Sequence, residues 1–244
     1  MKKFNWNSIW INLRLVLLFS FVIFLFSFTS KRNSERKLTK SEVIFLGNEN
    51  LFVTHKTVNK LLIENNQSAQ TIRKDKLNLN KLEKTIDNQN MIEKSQVFVS
   101  IDGVLKAIIK QKRAVVRVFD KNGSFYYDYQ GNKMPLSANF TARVPLVSGE
   151  INEKNKKDLN KLFRYIFDDP FLRKDIIGIQ ISANGSLKMN NRNFDYVIDF
   201  GRTINIEKKF NNYKAFFQKA ILDSSLYNYK RINLKFTQQV VCTK

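Results

Sequence analysis

Hydrophobic and polar positions divide this chain into one unbroken apolar block and a long remainder in which the two kinds alternate. From Leu15 to Phe28 the sequence reads LVLLFSFVIFLFSF, with no charge. With Ile9, Trp10, Ile11 and Leu13 the block reaches about 20 residues, enough for one helix to cross a ~30 Å hydrocarbon core. Phe19, Phe21, Phe24, Phe26 and Phe28 fall around all faces of such a helix, unlike the single apolar stripe of a helix packed on a soluble domain. The block runs into Ser27-Phe28-Thr29-Ser30-Lys31-Arg32, where Phe28 spoils a small-residue cleavage site. A retained anchor is therefore expected rather than a removed signal peptide.

After the anchor the period changes repeatedly. Val43-Ile44-Phe45-Leu46 reads as a short strand closed by Gly47-Asn48. Thr54 is placed to cap a helix, with Val53 and Val58 at the staple positions and Val58, Leu61 and Leu62 on one face. A second short helix is expected from Asn80, with Glu83 three residues on as in a capping box and Leu79, Leu82 and Ile86 on its buried side. Val97–Ile101 and Val104–Ile109 flank Asp102-Gly103, a hairpin signal in which both turn residues would take positive φ. Val115–Phe119 reads as a third strand of the same module.

A second module begins at the Asn122-Gly123 turn. Phe125-Tyr126-Tyr127 leads to Asp128-Tyr-Gln-Gly131-Asn-Lys-Met134-Pro135-Leu136, and Arg143–Gly149 reads as an extended strand. Leu159, Leu162, Phe163 and Ile166 mark an amphipathic helix stopped by Asp168-Asp169-Pro170. Strands are expected at Ile177–Ser182, Ser186–Met189 and Phe194–Phe200, the first two joined by Asn184-Gly185. Ile206, Phe210, Tyr213, Phe217 and Ile221 then recur at helical spacing, with Asn205 as cap and Glu207 in the first turn. One last strand is expected from Arg231 to Val241, with Ile232, Leu234 and Phe236 alternating against Asn233, Lys235 and Thr237. No internal repeat is present.

Composition sharpens this only in part. Hydrophobic content of 43% and aromatic content of 13% suffice for real cores in the roughly 210 residues after the anchor. Forty-two Lys and Arg against 21 Asp and Glu leave a net charge of +21, which raises nucleic acid or an anionic surface as partners. The basic residues are spread from end to end, however, as on a solvated surface. Lys2, Lys3 and Arg14 precede the apolar core, while Lys31, Arg32, Arg36, Lys37 and Lys40 follow it. By flank charge alone the positive-inside rule does not favour export of the C-terminal part.

Candidate chemistry is sparse. Cys242 is the only cysteine and His55 the only histidine, so neither an internal disulfide nor a Cys/His zinc site is available. No phosphate-binding glycine loop, nucleophile elbow or H-E-x-x-H motif occurs. Asp168-Asp169 reads as a solvated helix end, and Asp195 with Asp199 as ion-pair partners for Arg202. Tyr126, Tyr127 and Tyr129 beside Lys133 suit a sheet better than a base-stacking platform. No catalytic residue, metal or cofactor is expected. What remains is a binding scaffold whose C-terminal strand offers an edge for a partner strand.

The order and spacing of these segments resemble the bacterial cell-division family FtsQ, also called DivIB. Asp128-Tyr-Gln-Gly131-Asn-Lys-Met134-Pro135-Leu136-Ser137 resembles the family's D-x-x-G-x-x-M/L-P-L element. Asp199-Phe-Gly-Arg202, Asn205–Phe210 and Ile232–Phe236 look most like its Bacteroidota branch. The resemblance implies an α+β fold: a cytoplasmic tail (1–8), one transmembrane helix (9–29), a linker (30–41), a POTRA-like domain (42–120) and a mixed β domain with flanking helices (121–244). It implies a non-enzymatic divisome scaffold at the septum, its C-terminal domains outside the cytoplasm. The expected partners are small coiled-coil proteins of the FtsB (DivIC) and FtsL type, with no nucleic acid and no small-molecule substrate. The expected contacts are Ile232, Leu234, Phe236, Thr237, Gln238 and Val240 on the last strand. The rival readings are a POTRA-containing protein of envelope assembly or secretion, and a tethered nucleic-acid binder.

Overall fold

A computed structural model describes residues 6–47, 52–63, 69–120 and 123–244. Helix α1 (Trp6–Ser34) contains the apolar block. Within its Trp10–Ser34 portion, an 18-residue stretch has a mean hydropathy of 2.3 and buries nothing within the protein, consistent with a membrane-spanning helix. The helix runs on past residue 29, where the linker was expected, because Lys31 and Arg32 in its last turn face the negative end of the helix dipole.

The described chain divides into two compact units, Met1–Gly47 with Thr54–Lys110, and Asn48–Val53 with Gln111–Lys244. In the first, β1 (Lys40–Phe45) is followed by α2 (His55–Leu62), α3 (Leu79–Asp87), β2 (Ile92–Val99) and β3 (Val104–Gln111). The three strands lie in the order β1-β3-β2, with β1 parallel to β3. Thr54 caps α2 as expected, its side chain accepting the Thr57 N–H. Asn78, not Asn80, caps α3 by accepting the Lys81 N–H at 3.0 Å. Glu83 is drawn off to the sheet, where its Oε1 accepts the Val97 N–H at 2.8 Å. Val58, Leu62, Ile86, Ile92, Ala107 and Ile109 form the dry interior.

The β2–β3 turn is not the two-residue turn that Asp102-Gly103 suggested. Gly103 N donates to Ser100 O, and only Gly103 has positive φ. This is a longer loop closed by a left-handed glycine. The Asn122 turn lies outside the described residues, as does Asn48.

The second unit is built on a nine-stranded sheet in the order β12-β11-β10-β9-β8-β7-β4-β5-β6. Its strands are β4 (Ala114–Asp120), β5 (Gly123–Asp128), β6 (Lys133–Met134), β7 (Leu146–Ser148), β8 (Ile176–Ile181), β9 (Leu187–Asn191), β10 (Val197–Gly201), β11 (Arg231–Asn233) and β12 (Val241–Thr243). Helices α4 (Lys156–Asp168), α5 (Pro170–Asp175) and α6 (Ile206–Leu222) supply Leu162, Phe163, Leu172, Phe210 and Tyr213 to a core shared with Val116, Val147, Ile179, Met189, Ile198 and Ile232.

The strand from Ala114 pairs with β5 and, in parallel, with β7. It belongs to the second unit, and the chain divides after Lys110 rather than at 120. Four of its residues, Ala114, Val115, Val116 and Val118, are buried, as suits a strand with neighbours on both sides. Its sequence carries no mark of which sheet it joins.

The D-x-x-G-x-x-M element has a clear local cause. Asp128, almost fully buried, accepts the Asn132 N–H at 2.8 Å. Gly131 takes φ +85°, and a Cβ there would lie 2.3 Å from Asn160 Nδ2 on α4. The turn therefore needs glycine both for its conformation and for its clearance. It delivers Met134 into the core, fully buried. Asp169, expected as a solvated end, instead caps α5. It accepts the Phe171 and Leu172 N–H groups at 3.0 Å and pairs with Lys214 at 2.8 Å. Asn205 makes no side-chain cap and enters α6 in the left-handed region at φ 53°, a conformation asparagine tolerates.

Candidate partner-binding edge

The expected single strand from Arg231 to Val241 is two strands. β11 runs parallel to β10, and β12 folds back antiparallel on β11, pairing Arg231 with Thr243, Ile232 with Cys242 and Asn233 with Val241. Between them the chain is fixed at three points. The Leu234 N–H donates to Asp199 O at 2.9 Å, the Lys235 N–H to Asn233 Oδ1 at 2.9 Å, and Asn212 Nδ2 on α6 to Thr237 O at 3.1 Å. The approach is tight, because a Cβ on Gly201 would lie 2.9 Å from Lys235 Cγ.

This folding separates the expected contact residues. Ile232 and Leu234 are core side chains, 0% and 1% exposed. Neither side chain is available to a partner, and β11 has neighbours on both sides. Phe236 is 53% exposed. Thr237 and Val240 are half-buried and Gln238 is exposed, all on the connection rather than on a strand. The free edge of the sheet is β12. No glycine or proline marks the reversal, so the alternation of Ile232, Leu234 and Phe236 concealed it.

The alternation of backbone groups identifies what that edge offers. Leu234 turns its N–H to β10, so Ile232 faces the same way and Arg231 and Asn233 face β12. Across that pairing Val241 and Thr243 turn toward β11, and the N–H and C=O of Cys242 point to the open side. The Cys242 side chain packs inward on the core, and burial pushes its thiol pKa up. It stays protonated at neutral pH and offers little nucleophilic thiolate.

Charge frames the edge. Lys230, Arg231, Lys235 and Lys244 are exposed around it. Arg231 Nε lies 3.4 Å from the Asp199 carboxylate, which is 5% exposed. Asp199 thus pairs with Arg231 rather than with Arg202. Inside, Lys209 Nζ donates to the carbonyls of Phe200 and Arg202 at 2.9 and 2.8 Å, and burial lowers its pKa. The lysine ties the end of β10 to α6 and so holds the platform beneath the C-terminal pair.

The remaining candidates fit structural roles. His55 packs edge-on against Phe45 at the start of α2. Tyr126 and Tyr127 are buried sheet residues, and Tyr126 Oη accepts the Ala142 N–H. Tyr129 donates to Asp168 at 2.8 Å. Among the described residues no cluster of metal-ligating side chains occurs.

No curated protein matches the sequence. One solved structure, the major extracytoplasmic domain of the trans isomer of the bacterial cell division protein DivIB from Geobacillus stearothermophilus, aligns with 46% of this chain and 95% of its own length. The identity is 12% and the TM-score 0.29. The family described as FtsQ/DivIB, C-terminal related, matches residues 113–243. That match spans more than half of the chain and takes in the nine-stranded sheet from the start of β4 to β12, so the protein belongs to the FtsQ/DivIB-related family of bacterial cell division.

Proposed function

We propose that this protein is a non-enzymatic divisome scaffold. It holds coiled-coil partners of the FtsB (DivIC) and FtsL type, and through them helps regulate septal peptidoglycan synthesis. The first unit is its POTRA-like domain, and both units lie outside the cytoplasm on a single membrane span. The observation that carries the reading is the open edge of β12, in the part of the chain the family covers. A partner strand adds there, meeting the outward N–H and C=O of Cys242. Phe236 on the adjoining connection gives an exposed aromatic contact. The exposed lysines and Arg231 favour a partner strand with acidic flanks and disfavour self-pairing of two such edges.

The experiment is conditional depletion with measurement of cell length and septation. Long filaments with segregated chromosomes and no septa are the expected result. Normal division accompanied by loss of envelope proteins would sink the reading. Rescue of the filaments by full-length protein but not by Cys242→Pro would tie the function to the edge.

A further inference from the structure

The first unit is fastened directly to the end of its membrane helix. Only Glu35 and Arg36 separate α1 from the point where the chain joins the domain, because Lys37 forms an antiparallel bridge with Arg73. The Leu38 N–H donates to Ile72 O at 2.9 Å and the Lys74 N–H to Arg36 O at 3.0 Å, and the Leu38 side chain is buried. Lys74 Nζ also reaches back to Asn33 Oδ1, in the last turn of α1, at 3.3 Å. Asn33 is about 6 Å along the helix from Thr29, the end of the apolar block, at ~1.5 Å per residue. That rise matches a headgroup layer of roughly 5–8 Å on each side of the hydrocarbon.

Strand order brings a second feature to the same end. β1 starts at Lys40 and runs parallel to β3, pairing Lys40 with Val104. The Ser100–Gly103 turn, which leads into β3, therefore lies at the end of the sheet where the chain arrives from α1. The Thr39 N–H donates to Gly103 O at 2.9 Å, and a Cβ on Gly103 would lie 3.4 Å from Lys37 O. Ile101 stands at the tip of that turn, 94% exposed, more than any other large apolar side chain among the described residues. We infer that this end of the first unit lies on the bilayer that α1 crosses. Ile101 enters the boundary between headgroups and acyl chains, and the basic side chains around it meet anionic headgroups.

Segments 31–37, 73–76 and 100–103 together carry seven cations and three acids. Asp75 is paired with Arg73 at 2.7 Å, and Asp102 accepts the Ser100 hydroxyl. Positive charge remains in excess after these contacts, with Arg36, Lys37 and Lys76 exposed. A bilayer is the partner that this end meets first, because α1 is embedded in it and two residues separate α1 from the domain. Lysine and arginine suit that surface, their stems lying along the interface while the charged heads meet phosphates. One apolar tip buries too little area to hold a partner from solution. A tethered domain needs only such a weak contact, since the tether fixes its effective concentration at the surface. The inference rests on the membrane span alone, not on strand addition at β12 or on which side of the membrane the domain occupies.

The test uses the full chain reconstituted in vesicles that contain phosphatidylglycerol and a lipid with a shallow doxyl quencher. A nitrobenzoxadiazole label is placed by Ile101→Cys, or by Lys110→Cys near the far end of β3, in a Cys242→Ser background. The label at position 101 is expected to shift its emission to the blue and to be quenched about threefold or more above the label at position 110. Lys37→Glu with Lys76→Glu lowers the quenching at position 101 about threefold. Lys188→Glu with Lys208→Glu, the same change of net charge on β9 and α6, changes it by less than about 1.5-fold. Equal quenching at positions 101 and 110 would overturn the inference. So would equal losses in the two double variants, or undiminished quenching at position 101 in vesicles of phosphatidylcholine alone. Cys242→Pro in place of Cys242→Ser should leave the signal at position 101 unchanged, which separates this contact from the β12 edge.

Discussion

The nine-stranded sheet ends in two edges that differ in kind. At one end β6 is two residues long and is followed at once by Pro135, which has no N–H to offer and cannot extend a ladder. Its Met134 is fully buried, and the following loop is tied down where Ser137 Oγ donates to Phe52 O at 2.8 Å. At the other end β12 is three residues long with no proline. Its middle residue turns both backbone groups outward, and basic side chains stand around it. The same sheet is closed to addition at one edge and open at the other. The two edges therefore differ in the backbone groups that are left over rather than in how apolar their residues are.

The largest test of this contrast goes to the foundations of the open edge. Ile232→Ala should destabilise the second unit by about 2–5 kcal/mol, because it removes a fully buried side chain beside β10 and β12. Thermal melts of the full chain in detergent would show it. Met134→Ala should cost a similar amount at the closed edge. A small loss for Ile232→Ala alone would mean that the open edge stands on weaker packing than its burial indicates.

Cys242→Pro should act on binding rather than on the fold. It deletes an N–H that points to the open side, so partner affinity should fall roughly tenfold or more, with a small shift in melting temperature. Lys133→Pro at β6 should leave affinity unchanged, and equal losses would erase the distinction between the edges. Phe236→Glu should weaken the same partner by about 1–2 kcal/mol, since the side chain is exposed but off the strand. Binding that is unaffected would confine the contact to the backbone of β12.

The smallest effect lies away from both edges. Asp169→Ala should cost about 1 kcal/mol through the lost α5 cap. Burial opposes ionisation of Asp169, but the Lys214 hydrogen bond and the two capping N–H groups outweigh it and hold its pKa below the ordinary aspartate value. A depressed folded-state pKa gives stability that is present at neutral pH and is lost as pH falls through that value. Denaturant midpoints followed from neutral pH into the acid range should therefore converge for wild type and Asp169→Ala. Asp175, raised by burial, works in the opposite direction and stabilises the fold as it takes up its proton.

Sequence and tertiary structure divided the labour along a physical line. The apolar helix, the Thr54 cap, the amphipathic faces of α4 and α6 and the glycine of the Asp128–Gly131 turn were legible because each depends on neighbours a few residues away. Period, capping and positive φ are local properties. The open edge was legible only as a neighbourhood. Sequence placed it at the C-terminal end but read one strand through Ile232, Leu234 and Phe236, because alternation says which residues share a face and nothing about which strand lies beside them. Only the tertiary structure decided that Ala114–Asp120 joins the second sheet, that Ile232 and Leu234 are core, and that the backbone N–H and C=O of Cys242 face the opening. Pairing partners and surface clusters depend on contacts between residues far apart in the chain, and no local pattern encodes them.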